Sequence, residues 1–188
     1  MLHKSKMSLG QIEDLKDEVR ILCTLDHPNI VKYYETFEDT NYLYLVMEYC
    51  PGGELLTHLT KQGKLKGGGG EQRVVEVMES LLKAIAHCHA SNIVHRDIKP
   101  ENVMVGEDGE IKLIDFGLSQ QTLSKHSKMH MLVGTPLYMS PQVIEGYYGR
   151  ECDIWSLGVL MFLLLSGRLP FYSKKVDELF DKILDGSF

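Results

Sequence analysis

The spacing of hydrophobic residues changes several times along the chain, and each change predicts an element. Ile12, Leu15, Val19, Leu22 and Leu25 recur on one helix face, and Ser8 followed by Gln11 has capping-box spacing, so a first helix is predicted from about Leu9. Ile30 to Phe37 and Tyr42 to Met47 are rich in β-branched and aromatic residues, and the polar Glu38-Asp39-Thr40-Asn41 between them suits a hairpin loop. Pro51-Gly52-Gly53 stops the second strand, after which Glu54 to Lys61 reads as a short helix. Val74, Val77, Met78, Leu81, Leu82 and Ile85 form the apolar stripe of a long helix running from Glu71 to near Ser91. Val103-Met104-Val105 and Ile111-Lys112-Leu113-Ile114 flank Gly106-Glu107-Asp108-Gly109, a turn signal for a second hairpin.

A long polar stretch, expected to be loop, then leads to the apolar run Ile154 to Leu165, broken by Ser156 and Gly158. That run is shorter than the roughly 20 residues of a bilayer crossing, so it reads as a buried core helix and no membrane span is expected. Val176, Leu179, Phe180 and Ile183 share one face of a last helix. Gly67 to Gly70 has no local preference, reads equally as a native loop or an inserted linker, and receives no function.

Composition narrows the class. The chain has 188 residues, 44% hydrophobic and 24% charged, which is the range of a globular domain with one sizeable core. Its 26 acidic against 20 basic residues leave a formal charge of −6, which disfavours a phosphate-backbone binder, so nucleic acid is not an expected partner. Cys23, Cys50, Cys88 and Cys152 lie far apart, and no apolar secretion signal opens the chain, so a reducing cytoplasmic or nuclear setting is expected.

The densest chemistry is His95-Arg96-Asp97-Ile98-Lys99-Pro100-Glu101-Asn102, followed thirteen residues after Asn102 by Asp115-Phe116-Gly117. With a predicted hairpin between them, the two blocks resemble the protein-kinase signature. Leu45-Val46-Met47-Glu48-Tyr49, Pro51-Gly52-Gly53-Glu54, Gly134-Thr135-Pro136 and Asp153-Ile154-Trp155-Ser156-Leu157-Gly158 extend the similarity in the family's order. The chain is most similar to serine/threonine kinases of the calcium-dependent and calcium/calmodulin-dependent group. The fold this implies is α+β and bilobal: residues 1–49 as a partial N-lobe of one helix and two strands, and residues 50–188 as a truncated, mainly helical C-lobe.

The resemblance also implies roles. Phosphoryl transfer asks the protein to position ATP and the acceptor hydroxyl and to neutralise spreading charge. By resemblance, Asp97 accepts or orients the substrate hydroxyl proton, Lys99 steadies the transferred group, and Asn102 and Asp115 supply oxygen ligands to Mg2+. Glu18 matches the helix glutamate that pairs with a strand lysine. Met47 matches the gatekeeper, Glu48 and Cys50 the hinge, and Met104 the floor of the adenine pocket. Leu22, Tyr33, His95 and Phe116 would form a spine between the lobes, and Asp153 would hold the catalytic loop. Glu54 and Glu101 occupy places that bind ribose and substrate arginines in basophilic relatives, which implies protein substrates with Arg upstream of Ser or Thr.

Blander readings stand beside these. Isolated aspartates in loops are mostly turn formers, and glutamates mostly solvated surface charges. His87 and His89, two apart on a helix, read as packing or solvent-facing rather than a metal pair. His126 and His130 have zinc-pair spacing but fall in the expected loop.

The sequence departs from the family pattern in three ways. No Gly-x-Gly-x-x-Gly loop or strand lysine precedes the first helix, and Lys4 and Lys6 read as surface charges. Gln142 stands where the family's Ala-Pro-Glu has its glutamate. Lys128 to Gly134 holds no Ser or Thr, so the usual loop phosphosite is empty and Thr122, Ser124 and Ser127 are the upstream candidates; Thr135 is expected beside Asp97 and Lys99. The expectations are negligible activity for this piece alone and control by a calcium-sensing segment outside it. The competing class is a pseudokinase or interaction scaffold.

Overall fold

The structure is a computed structural model that describes residues 2–61 and 70–188. In chain order its elements are β1 (Leu2–His3), α1 (Leu9–Thr24), β2 (Tyr33–Glu38), β3 (Tyr42–Met47), β4 (Gly53–Glu54), α2 (Leu55–Lys61), α3 (Gly70–Ala90), β5 (Ile93–Val94), β6 (Val103–Val105), β7 (Ile111–Leu113), β8 (Gln120–Gln121), α4 (Pro141–Ile144), α5 (Glu151–Ser166) and α6 (Val176–Asp185). Three small antiparallel sheets and a larger share of helix than strand give the α+β class expected from the pattern.

α1 begins where its cap predicts. Gln11 N donates to Ser8 Oγ at 3.2 Å while Ser8 N donates to Gln11 Oε1 at 2.9 Å, so two backbone donors that the helix would orphan are satisfied reciprocally. β2 and β3 form the expected hairpin, with Thr36 opposite Leu45. Asp39 organises its turn, its Oδ1 accepting from Asn41 N and Tyr42 N, both at 2.7 Å. β1 adds to the other edge of β3, Leu2 opposite Leu43. Lys4, read as a plain surface charge, straps this turn by donating to Asp39 O at 2.7 Å and pairing with Glu38 at 3.0 Å.

The second sheet has the order β4-β6-β7. Here Gly52 allows a close approach, since a Cβ on it would lie 2.7 Å from Val105 Cβ and O. The two sheets are tied where Val31 N donates to Leu113 O and Leu113 N to Asn29 O, both at 2.9 Å. The expected polar loop after residue 117 contains structure: β8 pairs with β5, and Met129 bridges Tyr148. Such two-residue pairings carry no periodicity and depend wholly on a distant partner.

α3 ends at Ala90, next to the expected Ser91, with Asn92 at φ +56° in the left-handed conformation that closes helices. Gly70 is the first residue of α3, and Gly67–Gly69 lie outside the described residues. The core packs Leu22 of α1 and Leu25 just after it, Leu55 of α2, Val77, Leu81 and Ile85 of α3, and Leu157 and Leu160 of α5. α5 is buried along Leu157, Leu160 and Leu164 but exposes Ile154, Met161 and Leu165, so the expected wholly buried helix presents one apolar face outward. Among the described residues no helix is long and apolar enough to cross a membrane.

Candidate active site

The loop after β5 is held from below by one buried carboxylate. Asp153, fully buried in the first turn of α5, accepts from His95 N at 3.0 Å, Arg96 N at 2.8 Å and the His89 ring Nε2 at 2.8 Å. Three donors account for an acid on so apolar a helix. His89 is therefore neither packing nor solvent-facing, as its sequence position suggested, but part of this anchor. The anchor holds Arg96 at φ +68°, a strained conformation for a non-glycine residue.

His95 is buried edge-to-face against Phe116, ring centroids 4.8 Å apart. Asp97 N donates to His95 Nδ1 at 3.3 Å, which leaves Nε2 to donate to Ile114 O at 3.3 Å. Burial lowers its pKa, with the Asp153 charge opposing in part, so the neutral imidazole is a structural bridge and no general base. Leu22 and Phe116 lie in one buried cluster with Tyr33 packed against it.

Asp97 is the hub of the site. Its Oδ1 accepts from Thr135 N at 3.0 Å and Thr135 Oγ1 at 2.7 Å. Its Oδ2 accepts from Lys99 Nζ at 2.6 Å and Asn102 Nδ2 at 3.2 Å. Lys99 also donates to Thr135 Oγ1 at 3.1 Å. Burial raises the Asp97 pKa, but the hydrogen bonds from Lys99 and Thr135, then the Lys99 charge, outweigh it and the net shift is downward. The group is an ionised acceptor at neutral pH.

Asn102 also donates from Nδ2 to Asp97 O at 2.8 Å, which leaves its Oδ1 as a free oxygen donor. Asn102 O accepts from Ile114 N at 2.9 Å, tying it to the residue before Asp115. Asp115 is exposed at φ +61°, and its Oδ1 accepts from Gly117 N at 3.1 Å. The Glu18 carboxyl sits at the same turn, within 3.6 Å of where a Gly117 Cβ would stand. Burial, then the Asp115 charge, raises its pKa, and the Phe116 N–H opposes. Two acids thus face each other, and Glu18 has no cationic partner among the described residues.

The remaining candidates lie around β3, β4 and β6. Met47 ends β3, 43% exposed. Glu48 turns its side chain away to pair with Lys112 at 2.6 Å and to accept from Lys32 N at 3.1 Å. Cys50 is buried, and burial, then the Glu48 charge, raises its thiol pKa. Met104 lies in β6 opposite Glu54 and Lys112. The Glu54 and Glu101 side chains are exposed and make no hydrogen bond or ion pair among the described residues. So Asp97, Lys99, Asn102 and Thr135 converge, Asp115 and Glu18 meet beside them, and Glu54 and Glu101 stand apart. Three contacts had no sequence signal. Arg96 Nε donates to Leu118 O at 2.6 Å and its Nη1 to Gln120 Oε1 at 2.7 Å, and the Tyr148 hydroxyl donates to Met131 O at 2.7 Å.

A small sheet built on a β-hairpin, joined to a mainly helical part in which an acid-lysine-amide loop is anchored on α5, is the architecture that the resemblance to protein kinases implies. The sequence model of the protein kinase domain matches residues 1–188, and the chain belongs to that family. It is 41% identical over 186 residues to calcium-dependent protein kinase 5 of Plasmodium berghei (strain Anka), covering 97% of this chain and 32% of the relative. Identity and coverage are the same against calcium-dependent protein kinase 5 of Plasmodium falciparum (isolate 3D7). CBL-interacting protein kinase 11 of Oryza sativa subsp. japonica is 37% identical over 193 residues, covering 100% of this chain and 38% of the relative. The chain spans about a third of the length of these curated relatives.

Proposed function

We propose that this chain is the core of a serine/threonine protein kinase that moves the γ-phosphoryl group of ATP to Ser or Thr hydroxyls of proteins, with residues 1–49 and 50–188 as its two lobes. The observation that carries this reading is Asp97 held ionised by Lys99, Thr135 and Asn102 in a loop anchored on Asp153. An ionised Asp97 orients the acceptor hydroxyl and takes its proton as the new bond forms. Lys99, 2.6 Å from Asp97, would also meet the incoming phosphoryl oxygens. The peptide edge after Met47 and the Cys50 and Met104 side chains would border the adenine.

The donor set fits a hard divalent cation. Asn102 offers a free amide oxygen, Asp115 an exposed carboxylate, and the tension between Asp115 and Glu18 is what a positive charge relieves. Asn102 and Asp115 would hold Mg2+, which when bound supplies charge neutralisation for the phosphates. Exposed Glu54 and Glu101 support a preference for Arg upstream of the acceptor, through carboxylate–guanidinium pairing. Regulation by calcium is suggested by the names of the relatives, and four free thiols fit a reducing cytoplasmic setting.

The unpaired Glu18 favours a second reading for the chain by itself. With no glycine-rich loop in the sequence and no lysine on Glu18 among the described residues, the 188 residues alone would turn over negligibly, and a pseudokinase or scaffold would use the same pocket for binding. Thermal denaturation with ATP tests the first reading: Mg2+-dependent stabilisation, lost in Asp115→Asn, is expected, and stabilisation that ignores both would sink it. Turnover by this chain near the roughly 1–100 per second of intact kinases would overturn its inactivity.

A further inference from the structure

We propose that His27 and His87 form a proton-sensitive latch, which holds the segment between α1 and β2 against α3 and β7 at neutral pH and releases it on mild acidification. The two imidazoles face each other across that junction, ring centroids 5.2 Å apart and planes tilted by 33°. His27 comes from the connection after α1, and His87 from the last turn of α3.

The junction accommodates neutral rings and has no place for an added proton. His27 Nδ1 accepts from Asn29 N at 3.1 Å, so the neutral ring carries its hydrogen on Nε2, and protonation would set two N–H donors against each other at that bond. His87 Nε2 is buried without a hydrogen-bond partner among the described residues, so no acceptor there receives a charged N–H. Besides His87 itself, the charged groups that face His27 are cations, Lys83 of α3 and Lys112 of β7. Each lysine keeps an acid of its own, Glu79 lying 2.6 Å from Lys83 and Glu48 2.6 Å from Lys112. Asp26, beside His27 in the chain, is exposed. Burial, then repulsion from His87, Lys83 and Lys112, accordingly lowers the His27 pKa.

What the latch holds is the joint between the first two sheets. Ile30 N donates to His27 O at 3.0 Å, Asn29 Nδ2 to Ile111 O at 2.9 Å, and the bonds of Val31 and Asn29 with Leu113 follow. The bond that protonation breaks, Asn29 N to His27 Nδ1, lies at the root of that ladder. α1 runs into the same segment, so release would let α1 and its Glu18 move against the turn of Asp115. Above the ordinary 6.5 the ring is neutral in both folded and unfolded chains. As pH falls below it the unfolded chain takes the proton that the junction resists, so stability declines until the lowered folded value is passed.

Hydrogen exchange of the 188-residue chain at about pH 7.5 and about pH 5.5, corrected for intrinsic rates, tests the latch. Between those values the protection of residues 29–31 should fall roughly fivefold more than that of α5. In His27→Asn, whose side-chain oxygen can still accept from the N–H two residues on but takes no proton, the extra fall should vanish. A uniform fall along the chain, no fall, or a local fall that persists in His27→Asn overturns the proposal. Should His27→Asn fail to fold, proton NMR titration of the unaltered chain decides: the His27 ring should titrate below 6.5, with the Asn29 amide signal moving in step. A His27 midpoint at or above 6.5, or an Asn29 amide indifferent to it, refutes the latch.

Discussion

Asp97 and Glu18 are carboxylates of one cleft whose surroundings push their proton affinities apart. Around Asp97 the donors outweigh burial and the pKa falls, so its contribution to stability is present above its ordinary 3.8 and is lost as pH drops through the lower folded value. Around Glu18 burial and the Asp115 charge win and the pKa rises, so folding is favoured below the ordinary 4.5 and that advantage is lost as pH climbs through the raised folded value. Glu18 is thus a stability liability at neutral pH, in keeping with a side chain placed to bind rather than to hold the fold. Glu18→Gln should raise the melting temperature by a few degrees at pH 7, and the gain should shrink toward zero near pH 4. Denaturation scans of both proteins across that range check it; a pH-independent difference would mean that lost packing, and not charge, sets the effect.

At the scale of elements, the pair Glu48–Lys112 joins the segment after β3 to β7. The two side chains are 22% and 10% exposed and 2.6 Å apart, beside the backbone bonds that link residues 29–31 to Leu113. Removing one partner strands a largely buried charge, so Lys112→Met should cost about 3 kcal/mol, whereas Lys112→Met with Glu48→Gln should recover much of that. Urea denaturation of the two variants measures it, and equal losses would show that the charge is already solvated. Such pairs also mark what a sequence conceals. The cap of α1, the β2–β3 and β6–β7 hairpins and the stripe of α3 were legible because local chemistry and period specify them. β1, β5 and β8 were not, being two-residue strands whose partners lie far along the chain. The convergence of Asp97, Lys99 and Asn102 was readable because one loop carries all three. His89 on Asp153, 64 residues away, and Arg96 on Gln120, 24 away, were not, since only tertiary packing makes them neighbours.

Among the described residues, two long apolar surfaces are built on α5. One groove runs along Ile154, Trp155, Phe162, Phe171 and Phe188, and the other along Val75, Met78, Leu82, Met161 and Leu165. Trp155, in the first groove, has its Nε1 buried without a hydrogen-bond partner among the described residues. Monomeric proteins seldom leave contiguous apolar patches of this kind uncovered, and a net charge of −6 spread over 188 residues opposes association only weakly. In isolation the chain should therefore cover these faces with a second copy. Sedimentation velocity at tens of micromolar should show a concentration-dependent rise in mean mass. Met161→Lys with Leu165→Lys, two exposed positions of the second groove, should suppress that rise while shifting the melting temperature by no more than about 2 °C, since exposed substitutions change stability little. Mass that stays monomeric in the unaltered chain would show that these grooves tolerate water. Association undiminished in the double variant would move the contact to the face around Trp155, where Ile154→Lys is the corresponding test.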